Sequence, residues 1–131
     1  MMKINAHLWQ SYSEVKFDFE QDFLTKCYTV ITAWNPRSQK LSHSENCLNN
    51  QRLQDKLVDY DWVSVTVGDA KFEWFEESFA VAMELESALE LARTFEQNAI
   101  YYVRNNILYL YSCVDSQYLS LGNIQEKIIK T

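Results

Sequence analysis

Residues 32–57 read TAWNPRSQKLSHSENCLNNQRLQDKL, and the order of residue types there settles more of the fold than any other stretch. The apolar run Tyr28–Trp34 ends on Asn35-Pro36, a strong stop signal. A basic turn through Arg37 and Lys40 follows, and then a helix from Ser42 to about Val58. Ser42 and Glu45 have the spacing of a capping box, which fixes where that helix begins. Within it, Asn46, Asn50, Leu53 and Leu57 fall at i, i+4, i+7 and i+11 and share one face. Leu53 and Leu57 belong in a core, so both asparagines are directed inward above them and must find hydrogen bonds. A plain hydrophobic core has no use for that ordering.

Outward from this stretch the periods alternate. Ile4, Leu8 and Tyr12 mark a short amphipathic helix, and Val15, Phe17 and Phe19 alternate as a strand does. Tyr28–Trp34 is rich in β-branched and aromatic residues. Beyond the helix, Trp62–Val67 reads as a strand closed by Gly68-Asp69, and Ser78–Met83 as another. Leu85, Ala88, Ala92 and Phe95 trace one face of a helix from Glu84 to about Phe95, whose first turn is acidic. Ala99–Val103 and Ile107–Tyr111 flank a hairpin turn at Arg104-Asn105-Asn106. From Asp115 the pattern weakens, with a terminal helix expected around Ile124–Ile129. After the first 20 residues the order is β-α-β-β-α-β plus one more strand. The expected fold is therefore α+β, a ferredoxin-like split βαβ unit with an extra C-terminal hairpin strand, preceded by a helix and a strand. The Val15–Phe19 strand must lie at a sheet edge, or else the central order departs from that scheme.

Composition narrows the class. With 131 residues, two Gly and one Pro, the chain is expected to form a single domain over 1–131 without a flexible linker. Aromatic residues make up 15% and are well spread, which speaks against disorder. No apolar run approaches the roughly 18 residues of a membrane span, and the first residues lack the apolar stretch of a signal peptide. Three cysteines at wide spacing are expected to be reduced thiols in a cytoplasmic protein. A net charge of −6 makes nucleic acid a poor partner. Two histidines, no close Cys pair and no Gly-rich loop point to neither a metal nor a nucleotide cofactor. The expected partner is a small molecule or a protein, with no membrane partner, and a homo-oligomer is open.

The motifs TAWNPRS, SENCLNNQRL, EESFAV and LARTFEQNAI resemble those of the bacterial domain-of-unknown-function family 3293, from about Tyr12 to Leu110. The most specific piece is TAWNP followed by Glu45-Asn46, Asn50 and Leu53. A Gly commonly precedes the Gln of the family's QNAI motif, whereas Glu96 stands there in this chain. The resemblance implies no established activity.

On the expected fold, four polar motifs meet at one pole of the sheet. Asn35 and Arg37 meet Ser42–Asn50, Glu76–Ser78 and Gln97-Asn98 there. Asn35, Arg37, Glu45, Asn46, Asn50, Glu77, Gln97 and Asn98 are accordingly the candidate ligand-binding residues. One reading of them is a polar network that ties loops down. In it Asn50 satisfies turn carbonyls, Glu45 closes the cap, and Arg37 pairs with Glu76 or Glu77. The other is a pocket of a binding or interaction module, where a helix amino terminus with Arg37 and Lys40 favours a small anionic ligand. Trp34 and Trp74 would supply an apolar wall, and the acidic residues at the pole work against the anion. An enzyme at the same pole would use Glu77 or His43 as proton carrier; no catalytic residue is assigned. Glu76 and Glu77 are adjacent and so point to opposite faces of a strand. His43 and Cys47 stand at i, i+4 near the helix start, with no third residue to orient them. A purely structural subunit of an assembly would instead use the tyrosine-rich hairpin Tyr101–Tyr111 or the N-terminal strand edge.

Overall fold

A computed structural model describes residues 4–129. In chain order the elements are α1 (Ala6–Ser13), β1 (Lys16–Phe19), β2 (Cys27–Ile31), α2 (His43–Asp55), β3 (Trp62–Gly68) and β4 (Phe75–Val81), then α3 (Leu85–Thr94), β5 (Ala99–Arg104), β6 (Ile107–Ser112) and β7 (Tyr118–Asn123). The seven strands form one curled antiparallel sheet in the order β1-β3-β4-β2-β5-β6-β7, so the fold is α+β. β2 lies at its centre and β1 at an edge.

The local signals act as their chemistry dictates. Ser42 caps α2 in a closed capping box with Glu45. Asn105 and Asn106, both at positive φ, make the tight turn between β5 and β6. α3 ends with Glu96 in the left-handed region (φ 57), where its N–H bonds the Arg93 carbonyl and the Gln97 N–H bonds that of Ala92. That is the position where helices favour glycine.

The sheet separates two apolar clusters. One joins Leu53 and Leu57 of the α2 segment, and Ala88, Leu89 and Ala92 of α3, to Ile31, Phe79, Val81 and Ile100 of the sheet. The other joins Phe17, Val30, Val63, Val65, Val67, Ala80, Val103 and Leu108 to Ile124. Both helices thus share one face, and the sheet curls over the second cluster. After β7 the chain reaches back to β1: the Phe17 N–H donates to the Lys127 carbonyl and the Ile129 N–H to the Phe17 carbonyl, each at 2.9 Å. The β1 edge is in this way covered from within the chain.

Three expectations need correction. β2 leaves the ladder at Ile31 instead of running to Trp34, because the Ala33 and Trp34 N–H groups are taken by Asn50 Oδ1 and Thr32 Oγ1. β4 begins at Phe75, ahead of the expected Ser78, which places Glu76 and Glu77 on the strand. The expected helix at Ile124–Ile129 is a single 3-10 turn, Ile124–Glu126, following the unexpected strand β7. The isoleucines there serve packing and pairing instead: Ile124 is fully buried, and Ile128 bridges to Phe17.

Candidate functional site

The ends of β2 and β3 and the starts of β4 and β5 meet at one pole, and Asn35 organises it. This residue occupies the left-handed region (φ 47), which Asn tolerates better than most residues, and opens the 3-10 turn Pro36–Ser38. Its N–H donates to Asn46 Oδ1 (2.9 Å), and its own Oδ1 accepts from Asn46 Nδ2 and the Leu41 N–H (both 3.0 Å). Its Nδ2 donates to Glu76 Oε2 at 2.9 Å. One turn further along α2, Asn50 takes the Ala33 N–H on Oδ1 (2.8 Å) and donates Nδ2 to the Glu77 carbonyl (2.9 Å). Gln97 donates to the Trp34 carbonyl (3.0 Å). Asn46, Asn50 and Gln97 are buried, and these bonds satisfy much of their capacity.

Beside this network lies a cleft of about 680 Å³, within the range of small-molecule sites. The sheet contributes Val30, Val67, Glu76, Ser78 and Tyr101, the turn after β2 contributes Trp34, Asn35 and Ser38, and α1 covers the pole with Leu8, Ser11 and Tyr12. Trp74 and Phe75, 40% and 43% exposed, complete an aromatic lining. The loop that carries Trp74 is held close to β3: the Asp69 N–H bonds the Trp74 carbonyl, and a Cβ on Gly68 would come within 2.6 Å of that oxygen. Tyr12 docks α1 by bonding Ser38 and Asn98 through its hydroxyl, while its carbonyl accepts from the Tyr101 hydroxyl.

Three groups in the cleft are unusual. Glu76 is half-buried, and burial pushes its carboxyl up to about 7 against the lowering effect of the Asn35 bond. Trp34 is 6% exposed, stands edge-on to His43 and near Phe75, and its buried Nε1–H has no hydrogen-bond partner. Tyr101 is held well above its ordinary pKa by burial and then by neighbouring Glu76 and Tyr12. The ionisable lining is mostly acidic: Glu14, Asp69, Glu73 and Glu76, against Lys40 and His43.

Of the candidate residues, Asn35, Asn46, Gln97 and Asn98 line the cleft, and Arg37, Glu45, Asn50 and Glu77 do not. Arg37 pairs with neither Glu76 nor Glu77. Positive φ angles at Asn35, Arg37 and Ser38 carry it toward the end of α3, where its N–H bonds the Glu96 carbonyl and its half-exposed guanidinium lies 3.9 Å from the Glu96 carboxylate. Glu45 is an exposed capping residue whose carboxyl is lowered by the Ser42 hydroxyl and then by the Ser42 backbone. Glu77 is exposed and supplies the site only its carbonyl. Sequence reasoning missed Tyr12, Ser38 and Tyr101 and underweighted Glu76. The alternation of FEESFAV, with Glu76, Ser78 and Ala80 on one face, is the signal that finds the carboxylate. His43 Nε2 lies 3.4 Å from Cys47 Sγ. Among the described residues no group of three or more His, Cys, Asp or Glu could hold a metal ion, and no helix is long and apolar enough to cross a membrane.

The model of the family described as "Protein of unknown function (DUF3293)" matches residues 31–100, just over half of the chain. The match spans the pole from the end of β2 to the start of β5 and leaves out α1. No curated protein and no solved structure matches the chain.

Proposed function

For this chain, which belongs to the DUF3293 family, we propose a small-molecule-binding module whose site is the cleft beside Asn35, with Glu76 as its polar anchor. The observation that carries the reading is the pairing of an aromatic-lined cleft with a half-buried carboxylate and an unpartnered Trp34 indole N–H. A purely structural network would satisfy its polar groups internally, and that indole is left over. The anionic ligand loses support, since Arg37 stands outside the cleft and four carboxylates share the lining with Lys40. Nucleic acid is disfavoured for the same reason, with a net charge of −6. A cytoplasmic setting goes with the proposal and rests on the three free thiols.

A ferredoxin-like core is proposed on two grounds. β3-β4-β2-β5 are consecutive in the sheet, and α2 and α3 share one face. A second functional reading, proton transfer, is favoured by the Glu76 carboxyl near neutrality. In it Glu76 takes the role expected of Glu77 or His43.

Binding is tested by a soluble fragment panel read through the Trp indole resonances of the protein and of Trp34→Phe. Saturable shifts that include the Trp34 resonance support the site; a panel that leaves it unmoved counts against it.

A further inference from the structure

Resting on the reading of the cleft as a binding site, we propose that its ligand is a planar organic cation of the amidinium or aminoheterocycle class, its N–H edge bonded to the Glu76 carboxylate. The charge of the lining selects the sign. Glu14, Asp69, Glu73 and Glu76 outnumber Lys40, so a cation enters a favourable field and an anion is repelled. The shape of the lining selects a flat molecule. Trp74 and Phe75 leave large aromatic surface open to solvent at the cleft, and their π faces attract a cation as well as a ring. Asn35 Nδ2 holds one oxygen of Glu76 and so fixes the carboxylate as a pre-positioned acceptor. A planar N–H pair can meet a carboxylate two-pronged, which a rounded ammonium cannot.

The probes are benzamidinium, benzamide and benzoate, three molecules of one size and shape that differ in charge. Titrated into the full chain at pH 8 and followed by indole resonances, benzamidinium is expected to bind at least about tenfold tighter than benzamide, with no saturable benzoate binding. In Glu76→Gln the preference for benzamidinium should fall below about threefold. Glu73→Gln, at an exposed rim position, should weaken benzamidinium about twofold and keeps the test open if the first variant does not fold. If benzamide or benzoate shifts the Trp34 resonance with equal affinity, the cation class is wrong and the cleft remains a binding site. If none of the three moves it, both readings fall.

Discussion

Asn35 Nδ2 lies 2.9 Å from Glu76 Oε2, and through that bond the turn after β2 is joined to the carboxylate in the cleft. The same side chain bonds Asn46 and the Leu41 backbone. Structure and candidate site are therefore one network, with its satisfied part under the turn and its open part facing the cleft.

Glu76 is expected to cost stability at neutral pH. Its folded-state pKa is raised from 4.5 to about 7, so its contribution is most favourable below pH 4.5 and is lost as pH rises through 7. Glu76→Gln keeps an acceptor for Asn35 and removes the buried charge. Urea unfolding should find the variant more stable than the parent at pH 8, by on the order of 2–3 kcal/mol, with the gap closing toward pH 4.5. A gap independent of pH would refute the assignment.

Asn50 and Arg37 should separate cleanly. Asn50→Ala leaves the Ala33 N–H and the Glu77 carbonyl without their partner and should cost about 1–3 kcal/mol. Arg37→Ala breaks a long, half-exposed ion pair and should change stability by less than about 0.5 kcal/mol. Denaturation midpoints of the two variants, measured side by side, check the contrast.

Glu96 occupies a glycine position. Its φ of 57 is one that a residue with a Cβ adopts at a cost, and its pairing with Arg37 is weak. Glu96→Gly should stabilise the protein by about 1 kcal/mol. A loss of stability on that substitution would mean that the Arg37 contact outweighs the backbone strain.

The sequence marks the polar pole through local spacing and fails where long-range contacts decide. Ser42 with Glu45, and Asn46 and Asn50 above Leu53, follow from helix geometry alone, and both asparagines are buried. The course of Arg37 depends on successive positive φ angles that no periodicity encodes. β7 is exposed along nearly its whole length, so it lacks the alternation that reveals a half-buried strand. The docking of α1 rests on Tyr12 meeting Asn98 across 86 residues of sequence, which no local pattern reports.

The thiols give an independent check on burial. All three cysteines are free, with Cys27 exposed and Cys113 buried, and burial pushes the Cys113 thiol up to about 12 despite nearby Arg93. A disulfide reagent at pH 8 should modify Cys27 rapidly and Cys113 only on unfolding, with three equivalents reacting in denaturant.

The most direct test of the cleft is a structure of the protein soaked with benzamidinium, read at the Glu76 carboxylate. The account predicts the amidinium within hydrogen-bonding distance of the Glu76 oxygens, its ring against the aromatic lining. A probe bound elsewhere on the surface, with the cleft holding only ordered water bonded to Trp34 Nε1, would contradict it.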